Sequence, residues 1–207
     1  MKVVVTRPRG QEGELSARLE GLGHEVLFCP LIAIEPVGGT VDVTGYDWLV
    51  VTSPNGAREL RRRMRGTPGR VAAIGAATAE AFGGADLVPR VSTLEGLLAE
   101  LPRPAGRVLF AGAAGARPLL AEELGADVVA LYRTVELEPG HVPEADLVVL
   151  ASASAARAYA RTGAAMPAVS IGPETTRAAL AAGVEVAAEA DTHDLEGLVA
   201  AVAAVAG

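Results

Sequence analysis

Cysteine is almost missing from this chain: Cys29 is the only one in 207 residues. A single thiol excludes an internal disulfide and any metal site built from cysteines. Cys29 reads as a small apolar filler at the end of a strand. Lysine is equally scarce, with Lys2 alone, so arginine carries nearly all the positive charge. Acidic residues outnumber basic ones and the net charge is −7. That balance leaves no basic face to neutralise phosphates, which excludes a nucleic-acid binder. The one dense basic run, Arg61, Arg62, Arg63 and Arg65, falls late on an expected helix. Cations are favoured there by the helix dipole, and the run reads as a solvated helix end.

Long apolar runs are missing too. No stretch reaches the ~18 consecutive apolar residues of a membrane span. The opening Val3, Val4 and Val5 lead straight into Thr6, Arg7 and Pro8, too short for the apolar part of a signal peptide. A cytoplasmic protein is expected. His24, His141 and His193 are scattered without helical pairing, so no metal site is expected. No glycine-rich dinucleotide or phosphate loop follows a strand. No Gly-x-Ser-x-Gly elbow surrounds Ser53 or Ser152. These absences argue against a dehydrogenase, an NTPase, a zinc hydrolase and a serine hydrolase.

What is present is alternation. Short apolar runs at residues 2–6, 25–34, 48–52, 70–74 and 86–88 recur at 107–110, 127–135, 146–150, 168–171 and 184–187, with helix-like stretches between them. Continuous Val, Ile and Leu runs separated by helices predict buried parallel strands, hence an α/β fold with doubly wound sheets. The chain also repeats itself. Residues 48–57 (WLVVTSPNGA) match 147–156 (LVVLASASAA), 71–78 (VAAIGAAT) match 168–175 (AVSIGPET), and 93–98 (TLEGLL) match 194–199 (DLEGLV). Two halves on one plan imply two similar domains with a groove between them. Residues 25–34 and 127–137 are longer than a small sheet requires, so each is expected to cross from one domain to the other. The domains would then hold residues 1–33 plus 136–207, and 34–135. A simple split near Arg103 and Pro104 is the alternative.

Ligands of open α/β sheets sit beyond the carboxyl ends of the strands. Here those ends read Thr6-Arg7-Pro8, Ser53-Pro54-Asn55-Gly56, Gly75 to Thr78, Gly112 to Gly115, Ser152 to Ser154, and Gly172 to Thr175. Serine, threonine and asparagine at such places cap helices, and glycine lets backbone approach a ligand. The first-turn amides left over form an anion site without cationic side chains. From these features alone the chain is a two-domain α/β protein that binds a polyanion.

These same segments resemble one family, the uroporphyrinogen-III synthases. The resemblance runs through the opening Thr6-Arg7-Pro8, the Ser53 turn, Gly75-x-x-Thr78, Tyr132-Arg-Thr, Ser152-x-Ser154, Gly172-Pro-x-Thr175 and the closing Asp194-Leu-Glu-Gly. It implies two flavodoxin-like domains joined by a two-stranded β linker. It implies conversion of hydroxymethylbilane to uroporphyrinogen III by loss of water and closure with inversion of the last pyrrole ring. It implies no metal and no organic cofactor; from the charge and the short apolar runs no nucleic-acid or membrane partner is expected, and a monomer is. Tyr132 matches the tyrosine implicated in departure of the hydroxyl. Ser53, Ser152, Ser154, Thr78 and Thr175 match substrate-binding positions, with capping as a second duty. Thr6, Arg7, Asn55, Gly75, Gly112 and Gly172 complete the expected binding set. Two departures stand out: Glu174 would repel a carboxylate, and Asn55 stands where some relatives carry arginine. Tyr159 is expected to pack rather than react. A non-catalytic binder of a polycarboxylate or tetrapyrrole would need the turns but not Tyr132. An interaction module docked to other tetrapyrrole enzymes would need neither.

Overall fold

The computed structural model describes residues 1–138 and 141–207. In chain order the elements are β1 (Lys2–Val5), α1 (Gly13–Gly21), β2 (Glu25–Phe28), β3 (Ile32–Pro36), β4 (Val41–Asp42), β5 (Trp48–Val51), α2 (Pro54–Arg63), β6 (Met64–Arg65), β7 (Arg70–Ala73), α3 (Ala76–Phe82) and α4 (Leu94–Glu100). They continue with β8 (Val108–Ala113), α5 (Leu119–Leu124), β9 (Asp127–Glu136), β10 (Leu147–Leu150), α6 (Ala153–Arg161), β11 (Ala168–Ser170), α7 (Pro173–Ala181), β12 (Val186–Glu189) and α8 (Leu195–Ala206). The described residues form two compact units, Met1–Ile34 with Thr134–Gly207, and Glu35–Arg133. The Arg103-Pro104 junction lies inside the second unit.

In the first unit the sheet order is β12-β11-β10-β1-β2, and every neighbouring pair is parallel. Side chains alternate between its faces, as the two-residue period of a strand demands. Val3 and Val5 pack with Leu15 and Leu19 of α1 and Leu198 and Val202 of α8. Val4 points the other way, into a core with Ala155 and Tyr159 of α6 and Ala179 of α7. Helices therefore cover both faces, which is why β1 and β10 read as unbroken apolar runs. Full burial of each such Val or Leu contributes roughly 1.5–3 kcal/mol.

The second unit orders its strands β3-β9-β8-β5-β7, with β9, β8, β5 and β7 parallel. Trp48, Val50, Val108 and Phe110 face α4 and α5. Its β3 runs against β9: the Val37 amide donates to the Leu131 carbonyl and the Leu137 amide to the Leu31 carbonyl. The unit boundaries fall inside these two strands, after Ile34 and after Arg133. Each sheet thus takes strands from both halves of the repeat.

Three expectations are corrected. Residues 25–34 do not form one strand but two, β2 and β3, interrupted at Cys29 to Leu31. Pro30 has no amide hydrogen to continue the ladder, although Cys29 and Leu31 still donate to the Val5 and Thr6 carbonyls. Residues 86–88 reduce to a single bridge, Ala72 with Leu87, because Asp86 turns its carboxylate onto the Val71 amide. The arginine run is not uniformly solvated. Arg62 is, but the Arg63 side chain is only 15% exposed.

Candidate functional site

Because β5, β7, β8 and β9 are parallel, their carboxyl ends share one edge of the second unit. Ser53 follows β5 in an extended conformation, and its Oγ accepts from the Gly56 amide at 3.1 Å, capping α2. Pro54 then occupies the first helical position, where its missing amide costs nothing. The same Ser53 Oγ lies 2.9 Å from the Tyr132 Oη. Tyr132 comes from β9, 79 residues away in sequence, and is buried to 7% exposure. A register shift brings it there. Gly112 pairs with Ala130, but Ala113 pairs with Tyr132, so Leu131 is an extra residue on β9. Such a bulge re-aims the side chains beyond it. Gly56 leaves room for the ring: a Cβ there would lie 3.3 Å from Ser53 Oγ and 3.6 Å from Tyr132 Cε1.

The other expected residues of this unit divide. Gly75 ends β7 at φ +83°, a conformation that favours glycine, and caps α3 through backbone alone. Thr78 is buried in the first turn of α3 and does not cap it; its amide donates to the Gly75 carbonyl. Asn55 accepts from Arg58 on its own helix at 3.1 Å. Gly112 is not in a turn before a helix, as expected, but inside β8, where a Cβ would meet the Phe110 ring at 2.9 Å. Close packing explains that glycine.

The first unit repeats the arrangement. Ser152 follows β10, and its Oγ accepts from the Ala155 amide at 3.1 Å, the counterpart of Ser53. Ser154 accepts instead from Arg157, at 3.1 Å, and caps nothing. Gly172 occupies the N-cap of α7, with the His193 ring packed where a Cβ would stand. Thr175 is buried one turn in, as Thr78 is. Capping therefore falls to two of the five hydroxyl residues, because Gly75 and Gly172 take the cap positions ahead of the threonines. Thr6 is fully buried and donates to the Val149 carbonyl at 2.7 Å, tying β1 to β10. Arg7 follows it, half-buried. Glu174 is exposed and bonds Arg177 at 2.9 Å, which offsets its charge at the mouth of this turn.

The third repeated motif has a structural cause. Gly96 and Gly197 donate to the capping side chains of Thr93 and Asp194 at 3.0 and 2.8 Å. A Cβ on either glycine would stand 2.1 Å from a carbonyl oxygen, of Val91 or Thr192. Among titrating groups, the Gly197 amide foremost holds the Asp194 carboxyl below its ordinary value. Burial pushes the Cys29 thiol up and so disfavours its thiolate. Burial likewise raises Tyr159, whose hydroxyl is engaged by the Met166 backbone; it packs rather than reacts. Among the described residues no three His, Cys, Asp or Glu side chains are grouped to hold a metal. No helix among them is long and apolar enough to cross a membrane. What the second unit does offer is a hydrogen-bonded chain, in which the Gly56 amide donates to Ser53 and the Ser53 and Tyr132 hydroxyls share a bond.

Sequence reasoning reached Ser53 and Tyr132 but not Gly56 as their neighbour. The Ser-Pro-Asn-Gly turn carried that signal, since a capping serine fixes the residue three places on.

The chain is similar to known proteins along most of its length. A family model described as "Uroporphyrinogen-III synthase HemD" matches residues 13–200. A curated relative from Methanocaldococcus jannaschii, "Putative uroporphyrinogen-III synthase", is 29% identical over 153 residues, 67% of this chain. The match spans 64% of that relative's own length. Two crystal structures share the fold. A mutant uroporphyrinogen III synthase of the extremely thermophilic bacterium Thermus thermophilus is 19% identical, with a TM-score of 0.65 over 100% of this chain and 98% of its own. Uroporphyrinogen-III synthetase of Helicobacter pylori is 16% identical, with a TM-score of 0.68 over 99% of both chains. With the family model covering nearly the whole sequence, this chain belongs to the uroporphyrinogen-III synthase family.

Proposed function

We propose that this protein is a uroporphyrinogen-III synthase, a hydro-lyase of tetrapyrrole biosynthesis acting on hydroxymethylbilane. The observation that carries the reading is the 2.9 Å contact between Ser53 Oγ and Tyr132 Oη at the carboxyl edge of a parallel sheet. Ser53 Oγ accepts from the Gly56 amide and keeps its one proton, which in this reading goes to Tyr132. Tyr132 then keeps its proton for the leaving hydroxyl of the substrate. The terminal pyrrole nitrogen pushes electrons, the carbon–oxygen bond breaks, and water departs as the tyrosine donates to it. The resulting cation is attacked by the substituted carbon of the last ring. The bond from that carbon to the neighbouring ring then breaks, the methylene cation so freed closes on the unsubstituted carbon of the inverted ring, and the proton lost there restores the tyrosine, so that one water leaves for each macrocycle closed. The polypeptide's contribution is placement of the two chain ends, which can supply up to ~7–11 kcal/mol in favourable cases. Fixed dipoles aimed at the developing charge add to it.

The domains in this reading are residues 1–33 plus 136–207, and 34–135. Both are flavodoxin-like, and β3 with β9 forms the linker between them. The sheet order supports this, since β2-β1-β10-β11-β12 has the 2-1-3-4-5 sequence of that fold. The substrate's carboxylates would be held by Arg7, Asn55, Ser152 and Ser154, and by the turns at Gly75, Thr78, Gly172 and Thr175, whereas Gly112 serves the packing of β8. Thr6 holds the edge that presents Arg7. The enzyme works as a cytoplasmic monomer without metal or organic cofactor.

The test supplies hydroxymethylbilane and separates the isomers after oxidation. Type III product above the spontaneous background is expected from the wild type. Tyr132→Phe should lose about 100-fold in kcat, the scale of a positioned proton donor, while staying folded with a urea midpoint lower by no more than about 0.5 M, the share of its bond to Ser53. Type I product alone from the wild type refutes the function; an unchanged rate in Tyr132→Phe removes the tyrosine from it.

A further inference from the structure

An arginine in the last turn of a surface helix ordinarily reaches into water. Arg63, the final residue of α2, does the opposite: its side chain is only 15% exposed. One guanidinium nitrogen donates to the Val37 and Gly38 carbonyls at 2.5 and 3.0 Å, and the other to the Leu131 carbonyl at 2.6 Å. Glu59, one turn back and equally buried, sets its Oε1 3.1 Å from the Arg63 Nε and balances the charge.

Leu131 is no ordinary acceptor. It is the extra residue of the β9 bulge, and its carbonyl belongs to the planar peptide that leads into Tyr132. Whatever holds that carbonyl fixes the plane from which Tyr132 departs, and with it the face to which the ring is sent. Two donors hold it, the Val37 amide and Arg63. The first turn of α2 meanwhile presents Ser53 to the Tyr132 hydroxyl. One helix therefore grips the tyrosine at both ends, by its backbone through Arg63 and by its oxygen through the Ser53 cap.

We infer that Arg63 is a positioning residue for Tyr132, acting on the rate of the proposed reaction by locking the Leu131 bulge. The inference rests on the function proposed above. Lysine cannot replace it, because a single ammonium lacks the planar fork that spans several carbonyls.

A double-mutant cycle on the full-length protein tests it, with kcat and KM measured for hydroxymethylbilane. Arg63→Lys should lower kcat about tenfold and leave KM within about twofold, as expected when a reacting group is misplaced rather than binding lost. In the Tyr132→Phe background the same substitution should change the rate less than about twofold, because residues acting as a unit do not add. An equal loss in both backgrounds overturns the inference and assigns Arg63 to general stability. If Tyr132→Phe alone leaves the rate unchanged, the tyrosine's role falls first and this inference falls with it. That outcome is visible before Arg63 is touched. Should Arg63→Lys fail to fold, Glu59→Gln takes its place. It should give a smaller kcat loss that also vanishes beside Tyr132→Phe, and persistence of that loss counts against the proposal.

Discussion

Ser53 and Ser152 offer an internal control that few proteins provide. Each serine caps a helix by accepting from the amide three residues on, and each does so at 3.1 Å. They differ in one respect, the bond from Ser53 to Tyr132. Replacing either with alanine removes a cap, a loss of about 1 kcal/mol. Ser53→Ala also strips the tyrosine of its partner, a further loss of about 1 kcal/mol for a part-buried hydrogen bond. The expected destabilisation is thus about 2 kcal/mol for Ser53→Ala and about 1 kcal/mol for Ser152→Ala. With a urea slope of about 2 kcal/mol per molar, the two midpoints should differ by about 0.5 M. Urea titrations followed by circular dichroism would resolve that gap. The kinetic expectation runs in parallel: Ser53→Ala should lower kcat, whereas Ser152→Ala should act on KM. Equal midpoint losses with equal kcat would refute the reasoning, since the Tyr132 contact would then carry neither stability nor rate.

Three other outcomes follow from the same geometry. Gly96→Ala and Gly197→Ala should each destabilise by roughly 1–3 kcal/mol, despite alanine's better helix propensity, because the new Cβ would collide with a carbonyl. A raised urea midpoint for either would contradict this. The depressed Asp194 carboxyl contributes stability that is complete above its unfolded value near ~3.9 and is lost as pH falls through the lower folded value. Asp194→Asn keeps a capping group but not the titration, so its urea midpoint should fall less than the wild type's between about pH 5 and about pH 2. Parallel falls would show that the cap is not the coupled group.

Much of this molecule was open to reading by rules that act over short distances. Alternating apolar runs marked β1, β5, β8 and β10, because a strand buried on both faces has no polar side to show. The repeat marked Ser53 with Ser152 and Gly75 with Gly172, because capping and turn conformation depend on the next three or four residues. The failures came where distant backbone intervened. Pro30 was legible as a breaker, yet the continuous hydrophobicity around it hid the division into two strands. Gly112 looked like a turn because its small neighbours mimic one, whereas the β8–β9 ladder draws it into a strand. Arg63 carried no signal of burial, since its three carbonyl partners lie 25 to 68 residues away and look like any other backbone.

Sequence by itself determined the α/β class, the internal duplication, and the capped turns after β5 and β10, all consequences of local periodicity and local hydrogen bonding. Tertiary structure alone decided that Tyr132 meets Ser53. That meeting depends on the register of two strands separated by β8, and on one surplus residue at Leu131. A one-residue shift reverses the face of every side chain beyond it, and only the assembled sheet specifies where such a shift falls.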